Sequence, residues 1–150
     1  MFRKFVSSLA AILLLAGCSG GGGSSASPTT TGEKIVKNLK LTEKMDAMDE
    51  SQINGLFFFE DGAVKSSSLY LANDQTADVV GVFETENMDS AKKSVRTYLE
   101  TTKLQNQNYN PDEVFKIDNA VIDDNGKTLI LIVCDDLESA KKEAKTALGK

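Results

Sequence analysis

The stretch NAVIDDNGKTLILIVCDDLESAKKEAKTAL, residues 119–148, runs through a strand, a turn, a second strand and a helix. Asp124-Asn125-Gly126 divides two apolar runs. Asn-Gly accepts positive φ at little cost, so the spacing predicts a β-hairpin whose second strand is TLILIVC (128–134). Leu137, Ala140, Ala144 and Leu148 then fall at helical spacing. Asp135 and Glu138 have the spacing of a capping box, and Gly149 stands where a helix ends. The stretch reads as one ββα unit.

The same order stands one unit earlier. DSAKKSVRTYL (89–99) matches ESAKKEAKTAL (138–148) at Ser90, Ala91, Lys92, Lys93, Thr97 and Leu99, and two further positions keep their charge. The strand-like runs SSLYLAN (67–73) and VVGVFET (79–85) precede the first copy, and KIDNAVID (116–123) opens the second unit. In the first helix Met88, Ala91 and Val95 form the apolar stripe, with Asn87 or Asp89 as its cap. Asn110-Pro111 breaks the chain between the units. A further helix is expected over Glu33–Met45 with Ile35, Val36 and Leu39 inward. The expected fold is α+β: two tandem ββα units forming a four-stranded, mostly antiparallel sheet with helices on one face, plus an N-terminal helix.

One strand resists that picture. Leu129–Val133 is unbroken apolar, whereas a strand with one wet face should alternate. Either the N-terminal helix or the GLFFF segment covers the second face, or Ile130 and Ile132 belong to an exposed patch for a partner. The same choice applies to Phe57, Phe58 and Phe59, which cannot all point inward from one strand. These five residues are the candidate partner surface.

The N-terminus reads as a targeting segment. Met1-Phe2-Arg3-Lys4 is a positive n-region and Phe5–Ala16 an apolar h-region, too short for a bilayer span of ~20 residues. Leu15-Ala16-Gly17-Cys18 resembles the bacterial lipobox. That resemblance implies cleavage between Gly17 and Cys18 and a diacylglycerol carried on the Cys18 thiol, with fatty-acid chains such as palmitate. The divisions are then a signal peptide (1–17), a lipidated cysteine with a Gly/Ser/Thr tether (18–32) and one extracytoplasmic domain (33–150). The tether composition is that of a flexible coil with a reach of ~20 Å. An acylated Cys18 has no thiol for Cys134, the only other cysteine. Cys134 reads as a small apolar residue of a buried strand, since Asp135-Asp136 beside it would not activate a thiolate.

Charge and composition narrow the function. Loss of residues 1–17 lowers the basic count from 17 to 15 against 22 acidic residues, a net charge of −7, which disfavours nucleic acid and anionic lipid as partners. The chain has no histidine, which removes Ser-His and Cys-His nucleophilic sites. Both SAKK copies fit Ser-x-x-Lys, but the companion Ser-Asp-Asn and Lys-Thr-Gly motifs are missing. They read as solvated helix faces. Adjacent carboxylates at Asp123-Asp124 and Asp135-Asp136 point to opposite sides of a strand and do not face each other across a cleft. An EF-hand aligned on Gly126 would need acids at Val121 and Ile132, so that pattern fails. A weak calcium site of another kind in the DDNG turn competes with its plain role as a turn. No cofactor or metal is expected.

Lipobox, short tether, N-terminal helix and the pattern carried by Ala77–Glu84, Tyr109–Val114 and Asn119–Asp136 together resemble small domain-of-unknown-function lipoproteins common in Gram-positive anaerobes. The resemblance implies a cell-membrane lipoprotein facing outward, anchored in the bilayer through Cys18. It brings no activity and no site residues. Two readings stay open: a non-catalytic binding or accessory module that docks an envelope protein, peptide or wall component, and a small enzyme of unfamiliar type using Asp, Glu and Lys. Glu84 near Asp135 would be the kind of pairing that favours the enzyme.

Overall fold

Helix α1 (Pro28–Asn38) starts earlier than its composition suggests, because Ser27 accepts a hydrogen bond from the Thr30 N–H and Pro28 fits the first turn. The computed structural model describes residues 26–150, so Gly17, Cys18 and the signal segment lie outside the described residues. Residues 28–32, read as tether, belong to α1. The helix also stops short of Met45: Lys40 takes φ +58°, and the chain turns into strand β1 (Met45–Ala47).

Helix α2 (Glu50–Phe57) follows, closed at its start by a capping box between Asp49 and Gln52. Then come β2 (Val64–Ala72), β3 (Val79–Thr85), α3 (Met88–Asn106), α4 (Pro111–Asp118), β4 (Val121–Asp124), β5 (Thr128–Val133) and α5 (Leu137–Ala147). The two ββα runs are present, as is the hairpin at Gly126, whose φ of +87° the turn requires. The cap of α5 is Asp136, which accepts from the Ser139 N–H, one residue beyond the Asp135 that the capping-box spacing selects. Asn87 caps α3. The first part of KIDNAVID is helical rather than extended, because Pro111 opens α4 and Ile117 anchors it in the core.

The sheet has five antiparallel strands in the order β1-β2-β3-β5-β4, not four. Helices cover both faces, not one. Val79, Phe83, Leu129, Leu131 and Val133 point to a front face, where α2, α3 and α4 contribute Ile53, Phe57, Val95, Leu99 and Ile117. Val80, Val82, Ile130 and Ile132 point to the back, beneath Ile35 and Val36 of α1 and Ala140, Ala144 and Leu148 of α5. A strand buried on both sides has no wet face to alternate with, which accounts for the unbroken run Leu129–Val133.

Strand periodicity explains why two similar helices end on opposite faces. Residue n of the first SAKK copy matches residue n+49 of the second, and side chains alternate with a period of two. Positions 79, 81 and 83, which face α3, therefore match 128, 130 and 132, which face α5. Each helix packs on the same side of its own strand. Strands β3 and β5 meet with those sides turned opposite ways. Among the described residues no helix is long and apolar enough to cross a membrane.

Candidate functional site

The antiparallel register pairs Val79 with Val133, so Asp78 and Cys134 come together at one end of the sheet. Helix α4 crosses that end. Glu113 and Lys116, one turn apart on α4, both reach down to it. Lys116 Nζ lies 2.6 Å from Asp78 Oδ1, 2.9 Å from Glu113 Oε2 and 3.4 Å from Asp135 Oδ1. The Ala77 N–H donates to Glu113 Oε2 at 2.6 Å, tying α4 to the start of β3. The side chains of Lys116 and Asp78 are only 9% exposed, whereas Asp135 is 84% exposed.

This is the most buried ion-pair group among the described residues. Burial pushes the Asp78 carboxyl up, and its hydrogen bond to Lys116 opposes that shift. Burial works against the Lys116 charge as well, yet hydrogen bonds to Asp78 and Glu113 hold its ammonium above the ordinary lysine value. The neighbouring Cys134 thiol is pushed up to about 11, chiefly by burial, and donates to the Asp136 carbonyl at 3.6 Å. At neutral pH the lysine is a cation and the cysteine a thiol. Neither is poised as a nucleophile. What the group can do is lock α4, β3 and the β5–α5 turn together and present carboxylates around them.

The candidate partner residues do not form one surface. Ile130 and Ile132 are buried under α1 and α5, and Phe57 is buried against Phe83 and Tyr98, so none of the three can meet a partner. Phe59 is half-buried and stacks on Phe57 with centroids 5.3 Å apart. Only Phe58 is exposed, because at φ +49° it ends α2 and turns its ring outward. The second sheet face is therefore covered, and the helix that covers it is in part the one expected at the N-terminus.

The other motifs have local work. Ser139 Oγ donates to Asp136 Oδ2 at 2.7 Å as part of the α5 cap. In the DDNG turn, Asp124 accepts from the Gly126 N–H and Asn125 from Lys127 and Thr128. Asp124 pairs with Lys92 on the front and Asp123 with Lys150 on the back, as strand alternation requires. Glu84 and Asp135 stand at opposite ends of the sheet. Among the described residues no group of three or more His, Cys, Asp and Glu is arranged to hold a metal ion.

Sequence reasoning missed Asp78, Glu113 and Lys116. Two signals were available: an acid directly before an apolar strand in ADVVGVF, and the Glu-x-x-Lys spacing on a segment opened by Pro111.

Residues 37–134, from the last turn of α1 to the residue after β5, match the family described as Domain of unknown function (DUF4358). No curated protein matches the chain. No solved structure matches it.

Proposed function

The chain belongs to the DUF4358 family, and from that premise we propose that it is a membrane-anchored extracytoplasmic lipoprotein, of the kind found in Gram-positive anaerobes, whose domain is a non-catalytic binding or accessory module of the cell envelope. The observation that carries the anchor is Leu15-Ala16-Gly17-Cys18 standing directly after the h-region Phe5–Ala16. Two or three acyl chains on one cysteine give stable attachment, since each buried CH₂ contributes ~0.8 kcal/mol. The start of α1 at Pro28 supports the same reading, because ~10 residues extend at most ~35 Å and would hold the domain close to the bilayer. Binding is favoured over catalysis by the state of the buried groups: Lys116 is ion-paired and Cys134 protonated at neutral pH.

The test is Cys18→Ala in the native host with radiolabelled palmitate. The variant should lose the label and appear in the culture medium as a folded domain. Retained label together with membrane retention would overturn the anchor.

A further inference from the structure

The chain enters the domain at one end of the sheet, and the Lys116 group lies at the other. Ala26 and Thr30 sit beside Thr146 and Ala147 at the close of α5, and the Leu148 carbonyl accepts from Asn125 in the β4–β5 turn. Asp78 and Cys134 are at the far end of β3 and β5. An anchor at Cys18 would leave that far end free to meet other molecules.

There, α4 and the β5–α5 turn enclose an open cleft of about 320 Å³. Asp112 and Phe115 on one face of α4 and Asn119 at its C-cap form one wall; Cys134, Asp135 and Leu137 form the other. Phe115 is 69% exposed and gives this wall its apolar surface, while Ile117 on the same helix is buried. The rim is acidic. Asp112 and Asp135 are exposed, and Lys116, the one cation among the described residues lining the cleft, is shared by Asp78, Glu113 and, at 3.4 Å, Asp135, so one positive charge stands against four carboxylates with Asp112 counted.

That combination of an apolar wall and a rim with net negative charge selects among occupants. A second copy meeting the cleft isologously would set the same acidic rim against itself. An anionic lipid surface would be repelled as well. We infer that the cleft docks a basic, partly apolar peptide segment of a partner protein. An arginine or lysine head group lodges between Asp112 and Asp135 over the Phe115 ring, and an aliphatic side chain packs on Leu137. The inference rests on the binding-module reading and names the chemical class of its partner.

The experiment uses the acylated full chain in phosphatidylcholine nanodiscs and a fluorescein-labelled peptide of four Arg-Leu repeats, followed by anisotropy. One peptide should bind per chain, and a Glu-Leu counterpart should not bind. Asp112→Asn with Asp135→Asn should weaken binding ~10-fold, and Phe115→Ala should weaken it ~3-fold. Glu60→Gln with Asp61→Asn, an equal charge change in the turn between α2 and β2, should leave binding unchanged. Circular dichroism confirms that each variant is folded. No saturable binding, or equal weakening by the two double variants, overturns the inference. Crosslinking of the anchored chain in native envelopes separates this from the wider reading. A single partner recovered equally by wild type and by the Asp112→Asn/Asp135→Asn chain keeps the module and discards the cleft; recovery of no partner, with no peptide binding, discards both.

Discussion

Val95 of α3 lies over the front of the sheet in a cluster with Phe57 and Phe83, whereas its counterpart Ala144 of α5 lies over the back with Ile35, Val82 and Ile130. The front is filled by rings: Phe57 meets Phe83 edge-on at 5.1 Å and Tyr98 at 4.6 Å, and Phe59 meets Phe83 at 5.2 Å. The back is filled by small and branched residues, and Asn38 of α1 donates to Glu143 of α5 at 2.8 Å across its two helices. The two layers teach that a helix with one apolar stripe does not choose its face. Strand alternation chooses the face, and the residues on the stripe then pack against what that face presents. Ala91 of α3 and Ala140 of α5 are alike, whereas Val95 stands where α5 has Ala144, and aromatic rings complete the front.

Truncation in each layer breaks the comparison most directly. Phe83→Ala should cost about 3–5 kcal/mol and Ile130→Ala about 2–5 kcal/mol of unfolding free energy in urea titration, since both side chains are fully buried. Phe83 should be the costlier, because its removal also strands two ring contacts. A larger loss for Ile130→Ala would mean that the back layer, not the aromatic one, holds the sheet together.

Each layer is also tied down by an ion pair, and these differ in depth. On the front, Lys116 pins α4 to Asp78 and Glu113 out of solvent; on the back, Lys150 beyond α5 pairs with Asp123 in β4 at 2.5 Å with both side chains partly exposed. Lys116→Met leaves Asp78 buried without its partner and should cost about 3–5 kcal/mol. Lys150→Met should cost at most ~1 kcal/mol. Lys116 is held above its ordinary value of 10.5 in the fold, so its contribution is complete below that pH and is lost as pH rises through the higher folded value. Thermal unfolding followed from pH 8 to pH 11 should fall more steeply for wild type than for Lys116→Met. Parallel curves would show that Lys116 contributes little as an ion.

Local signals were enough for part of this architecture. Asn125-Gly126 marked the hairpin, the SAKK copies marked α3 and α5, and the unbroken run Leu129–Val133 left two readings, a strand buried on both sides or an exposed patch, of which the first holds. What escaped depended on tertiary partners. Strand β1 is three residues long and exists because Met45, Asp46 and Ala47 pair with β2. Helices α2 and α4 are eight residues each, too short for periodicity to separate from loop, and are held by single anchors such as Phe57 and Ile117. The opposite placement of α3 and α5 was implicit in the odd offset between the copies, but only once both helices are assigned to the same side of their own strands. The Lys116 group was hidden for a similar reason, because it joins residues 78, 113, 116 and 135 through the β3–β5 register.

The smallest effects sharpen the comparison at two glycines, one in each layer. A Cβ on Gly81 would meet the Phe83 ring at 2.7 Å, on the front face. A Cβ on Gly32 would meet Ser68 Oγ at the same distance, where α1 lies on β2 at the back. The clashes are equal in length but not in compliance. The Phe83 ring is fixed by Phe57 and Phe59 and cannot move without disturbing both, so Gly81→Ala should lower stability by about 1–3 kcal/mol. Ser68 Oγ is the end of a short side chain that can rotate, and alanine within a helix gains roughly 0.5–1 kcal/mol over glycine, so Gly32→Ala should fall between neutral and a loss of about 1 kcal/mol. The pair of unfolding free energies reads out which layer is packed without slack. If Gly32→Ala proves the more damaging, α1 is pressed on the sheet by more than Ser68, with Tyr70, whose ring edge lies 3.2 Å from the same Cβ, as the residue that cannot give way.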